Sequence, residues 1–117
     1  LESEKRSRES HTGDLIDARL HPRFKLDIDV KIYSRNNSRV MGHTVDISET
    51  GLAVMMQLEI PLEQVVRLEF ELPLGMVSVR ALVRQRNAFR YGFRFVEPNS
   101  EGQQLISRFC RGLRPHA

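Results

Sequence analysis

The chain contains no tryptophan, and aromatic residues make up only 7% of its 117 residues. A stacking platform for a long nucleic-acid single strand is therefore poorly supplied. There is one cysteine, Cys110. That excludes an internal disulfide framework and a Cys-rich zinc site, and it fits the reducing cytoplasm. The four histidines, His11, His21, His43 and His116, are scattered without metal-ligand spacing. No serine sits in a nucleophile elbow, and no glycine-rich loop opens a helix. An enzyme is not expected, nor a metal or cofactor. No apolar run approaches the ~20 residues of a membrane-spanning helix, so no direct membrane insertion is expected. The opening Leu-Glu-Ser-Glu-Lys-Arg is not a signal peptide and does not begin with Met, as in a piece of a longer chain.

What is present suits one soluble domain: 40% hydrophobic and 28% charged residues, with a net charge of +3. The cationic excess is mostly arginine, whose planar fork matches phosphates and guanine edges. Residues 1–18 are polar and charge-dense and read as a flexible arm or linker. Residues 19–113 read as the domain.

From Leu26 the pattern has period two. Leu26, Ile28, Val30 and Ile32 alternate with Asp27, Asp29 and Lys31, as in a half-buried strand. Asn36-Asn37-Ser38 supplies turn chemistry. In the next strand strict alternation puts Met41, His43, Val45 and Ile47 on the core face. Gly42, Thr44, Asp46 and Ser48 fall on the other. Leu52–Met56 is continuously apolar and predicts a strand buried on both faces. Val66–Leu72 and Val77–Val83 alternate again, separated by Pro73-Leu74-Gly75. After Asn87-Ala88, Phe89, Tyr91, Phe93 and Phe95 share one face, opposite Arg90, Gly92 and Arg94. Six short strands at near-regular spacing predict an antiparallel β-barrel. Past Pro98 the period becomes helical. Ser100-x-x-Gln103 is a capping-box candidate. Leu105, Ile106, Phe109, Cys110 and Leu113 form an apolar stripe to pack on the barrel.

Two motifs carry chemistry. Arg19-Leu20-His21-Pro22-Arg23 precedes the first strand, and Pro22 disfavours helix at His21. Two guanidiniums on such a loop can converge on one anion. In Asp46-Ile47-Ser48-Glu49-Thr50-Gly51, a carboxylate and a hydroxyl form a small polar reading surface. Gly51 either takes positive φ or admits a close backbone approach. Arg90, Gly92 and Arg94 are further candidates for the same surface.

Together, in this order, the two motifs resemble those of the PilZ domain, the bacterial receptor for the second messenger cyclic di-GMP. Arg19 and Arg23 match the family's Arg-x-x-x-Arg. Asp46, Ser48 and Gly51 match its Asp/Asn-x-Ser-x-x-Gly. Phe24, Gly51–Val54 and Tyr91–Phe95 are also similar, and the resemblance runs from residue 18 to residue 112. Ala18 stands where many members carry another arginine, which leaves open whether one ligand or an intercalated pair binds. The resemblance implies a six-stranded Greek-key-type barrel with a C-terminal helix. It implies ligand contacts from Arg19, Arg23, Asp46, Ser48 and Gly51. It also implies partners in attached domains or in motility, exopolysaccharide or adhesion machinery. The competing readings are a basic barrel binding single-stranded RNA, in the manner of an OB-fold, and a ligand-free protein-interaction module. Against RNA, Asp46 repels phosphate but suits a guanine edge, and a nucleic-acid polymer is not expected as partner.

Overall fold

The computed structural model describes residues 21–57 and 59–113. The arm at residues 1–18 and Arg19 lie outside the described residues. Seven strands follow one another: β1 (Phe24–Lys25), β2 (Asp29–Tyr33), β3 (Arg39–Ile47), β4 (Gly51–Met55), β5 (Val65–Leu72), β6 (Gly75–Asn87) and β7 (Arg90–Phe95). Among the described residues, a helix, α1 (Glu101–Leu113), comes last.

All pairings are antiparallel. Six strands close a ring in the order β3, β2, β5, β6, β7, β4 and back to β3. The non-local pairs β2–β5 and β4–β7 carry the chain beyond a simple meander. β1 adds two residues to β3, pairing Phe24 with Ile47 and Lys25 with Asp46. Of the strand expected from Leu26 to Ile32, only Asp29 onward is regular, in β2; residues 26–28 lie between β1 and β2, where the ladder is interrupted. The Thr44 hydroxyl fills that interruption. Its Oγ1 donates to the Leu26 carbonyl at 2.6 Å and accepts from the Ile28 N–H at 2.9 Å. Thr44 is thereby a buried polar side chain with its hydrogen-bonding capacity used.

The barrel interior follows the period-two pattern on most strands. Val30 and Ile32, Leu68, Phe70 and Leu72, Val77, Val79 and Val83, and Tyr91 and Phe93 are all buried. β4 is buried on both faces from Gly51 to Val54, but Met55, inside the run expected to be buried, is 43% exposed because it pairs with the outward-facing His43 and Arg90. The Tyr91 and Phe93 rings stack with centroids 6.3 Å apart. The Tyr91 hydroxyl accepts the Ile60 N–H at 3.3 Å, which ties the long connection between β4 and β5 to the barrel.

β3 departs from strict alternation. A β-bulge lies between Thr44 and Asp46 against β4. Before it, Gly42 and Thr44 face the interior while Met41 and His43 face solvent. After it, Ile47 faces the interior. The core positions expected for Met41 and His43 are therefore reversed, because one extra residue changes the phase of the strand. Phe89 is likewise not on the core face: it lies in the two-residue turn before β7 and is 56% exposed.

α1 packs on β6 with Ile106 and Cys110 fully buried. Leu105 and Phe109 are half-buried, and Leu113, expected on the same stripe, is exposed. Ser100 caps the helix, its Oγ accepting the Gln103 N–H at 3.1 Å. The reciprocal half of the capping box is not made. The Gln103 side chain instead reaches the Glu49 carbonyl, and the Ser100 N–H bonds Glu97.

Candidate functional site

The outer wall of β3, β4 and β7 gathers the sequence candidates. Pairing sets Asp46 opposite Ala53, Ala53 opposite Gly92, Met55 opposite Arg90 and Gly51 opposite Arg94. Past the bulge Asp46 points outward, and its carboxylate is 19% exposed. Two guanidiniums hold it. Arg23 Nε donates to Oδ1 at 2.8 Å, and Arg90 Nη2 donates to Oδ2 at 3.3 Å. The small Ala53 on the one intervening strand, β4, and Gly92 opposite it let Arg90 reach across to Asp46. Arg94 is exposed on the same face and makes no ion pair among the described residues. The result is a shallow cationic wall around one carboxylate. Two concavities lie elsewhere. A groove of 510 Å³ is lined by Tyr33, Arg35, Arg67 and Arg80. A second, of 450 Å³, runs along Met41, His43 and Met55 and adjoins Arg90 through Met55.

Ser48 is fully buried and does not share the outward face of Asp46. It has left the strand, so alternation no longer governs it. Its Oγ accepts the N–H groups of Thr50 and Gly51, each at 3.2 Å, and it lies 3.1 Å from Thr50 Oγ1. The Ser48 N–H closes the turn on the Gly51 carbonyl at 2.9 Å. Ser48 shapes the turn that follows Asp46. Gly51 is required for closeness and not for positive φ. A Cβ there would stand 2.4 Å from the Phe93 carbonyl oxygen of β7.

The sequence matches the PilZ domain family over residues 17–112. The chain is a member of the PilZ domain family. An uncharacterized protein of Aquifex aeolicus is 30% identical over 105 residues, 86% of this chain and 51% of its own. The chain thus spans about half the length of that curated relative. The PilZ domain of CeSA from a cellulose-synthesizing bacterium superposes with a TM-score of 0.66 at 23% identity, covering 78% of this chain and 96% of that one. The PilZ domain of YcgR from Escherichia coli, solved with c-di-GMP, gives 0.64 at 15% identity, over 80% and 88%. These likenesses show the PilZ barrel fold.

Within that PilZ barrel Arg90 takes a larger place than its sequence position suggests. It lies 44 residues from Asp46 and carries no motif of its own. Its outward register on β7 was the available signal. Outside this wall, His43 sits between two carboxylates. Its Nδ1 is 3.1 Å from Asp29 Oδ1, and its Nε2 contacts Asp27. The hydrogen bond to Asp27, then that to Asp29, raises the imidazole pKa above its ordinary value of 6.5.

Proposed function

We propose that this PilZ domain is a receptor for cyclic di-GMP. The observation that carries the reading is the Arg23–Asp46–Arg90 cluster on the outer barrel wall, in a chain with both family motifs. A guanine presents N1–H and N2–H₂ donors on one edge, and a carboxylate such as Asp46 accepts both. Its O6 and N7 accept an arginine fork. The two phosphates call for further guanidiniums, which Arg23, Arg90, Arg94 and, ahead of the described residues, Arg19 supply. Ser48 acts by holding the turn, and Gly51 by letting that turn lie against β7.

Arg23 is engaged by Asp46. Binding a guanine at Asp46 releases Arg23 towards the ligand, and Arg19 joins it from the segment before β1. That reordering moves whatever is attached upstream. Such an attached domain, or a separate partner in motility, exopolysaccharide or adhesion machinery, is the proposed recipient of the signal. A receptor for this messenger works in the cytoplasm.

Isothermal calorimetry tests the reading. Cyclic di-GMP should bind, and cyclic di-AMP should bind at least about tenfold more weakly, since the wrong base costs roughly 1–3 kcal/mol. Arg23→Ala and Asp46→Ala should each lose a similar factor while keeping a cooperative melt. No heat and no shift of Tm with excess cyclic di-GMP overturns the assignment.

A further inference from the structure

The residues between the fixed positions of the Asp46–Gly51 motif are tied to the C-terminal helix. Gln103, in the first turn of α1, is buried, and its Nε2 donates to the Glu49 carbonyl at 2.8 Å. Arg111, in the last turn, pairs with the Glu49 carboxylate at 3.5 Å, where the glutamate side chain is only 9% exposed. The two contacts are eight residues apart, or ~12 Å along the helix axis. One turn residue therefore spans two levels of α1.

The body of α1 rests on a different part of the barrel. Gly102 lies so close to β6 that a Cβ would meet Val79 Cγ1 at 2.5 Å and the Ser78 carbonyl oxygen at 2.7 Å. Ile106 and Cys110 are buried in the core cluster. In the ring, β6 is separated from the β3–β4 turn by β7. The helix thus bridges β6 and the turn after Asp46. A shift of α1 on β6 must drag Glu49 or leave a part-buried carbonyl without its donor.

We propose that Gln103 is a positioning residue for the cyclic di-GMP site, and that α1 docking and ligand binding are coupled through it. The inference rests on the cyclic di-GMP reading for its ligand, but the coupling also has a ligand-free signature. Gln103 fixes the Glu49 carbonyl. That holds the Ser48–Gly51 turn, which in turn sets how β3 ends one residue past Asp46. By linkage, a ligand that favours this turn stabilises α1 in its docked position to the same degree. Arg111 adds a weaker, exposed second hold on the same residue.

The test uses the full chain with Gln103→Leu, Arg111→Gln and a control, Ile106→Val. The control removes one buried methylene, leaves α1 docked on β6 and keeps both contacts to Glu49. Amide hydrogen exchange of Thr50 and Gly51 is measured without ligand, and cyclic di-GMP affinity by calorimetry. In Gln103→Leu the two amides should exchange about tenfold faster, and affinity should fall about fivefold, the low end of ordinary coupling. Arg111→Gln should move both in the same direction by less. Ile106→Val should lower Tm and leave both unchanged. Gln103→Leu behaving like Ile106→Val overturns the proposal. If Gln103→Leu does not fold, unchanged exchange and affinity in Arg111→Gln overturn it. If the unsubstituted protein gives no binding heat, the ligand reading falls, and the exchange data alone decide the coupling.

Discussion

Ala88 is held at φ 58° in the two-residue turn between β6 and β7. Left-handed backbone costs an L-residue with a Cβ roughly 1–2 kcal/mol, part of which glycine gives back as unfolded-chain entropy. Ala88→Gly should therefore raise stability by up to about 1 kcal/mol, read as a higher urea midpoint with an unchanged m-value. His43 makes a second single-residue prediction. Both ring nitrogens face carboxylates, so the doubly protonated ring suits both contacts. Its folded-state pKa is raised. The stabilisation is fully present below the unfolded value of 6.5 and is lost as pH rises through the higher folded value. The Tm difference between the unsubstituted protein and His43→Gln should shrink from about pH 5 to pH 8. A difference that stays constant or grows over that range contradicts the pairing.

Among the elements, one hydroxyl helps hold the β4–β5 connection to β7, beside backbone bonds at Met56 and Glu63. Tyr91→Phe keeps the ring in the core but leaves the Ile60 N–H without its acceptor. An unsatisfied buried donor costs about 1–3 kcal/mol, so a Tm loss is expected, with faster exchange at residue 60. Elements of this kind were legible wherever a strand keeps one phase. The alternation of β2, β5, β6 and β7 places their core residues correctly. β3 was not legible, because a bulge is a property of two paired strands. Thr44, Val45, Asp46 and Ile47 read equally well with or without it. The same limit explains Ser48, whose pattern of neighbours ends with the strand. The N-cap at Ser100 was visible in a four-residue window. The Gln103 contact with Glu49 spans 54 residues and was not. For the site, motif spacing marked Asp46 and Arg23. Arg90 was a further candidate from its outward register, and the closing of β4 on β7 was needed to set it on Asp46.

At the scale of the molecule, three described guanidiniums on the wall, Arg23, Arg90 and Arg94, surround the single carboxylate of Asp46. Lys25 stands opposite Asp46 on β1 and adds a further positive charge, so the two phosphate charges of the proposed ligand would meet a wall that stays net cationic. The remaining consequence comes from the closed ring. A hoop has no hinge: sliding one strand past its neighbour would force every other joint to slip as well. It also offers no long free edge to which a partner could add a strand. The wall of this domain therefore works as a rigid chassis. Whatever moves when a ligand arrives must be mounted on the hoop, as are the chain ahead of β1, the long β4–β5 connection and the helix braced against Glu49.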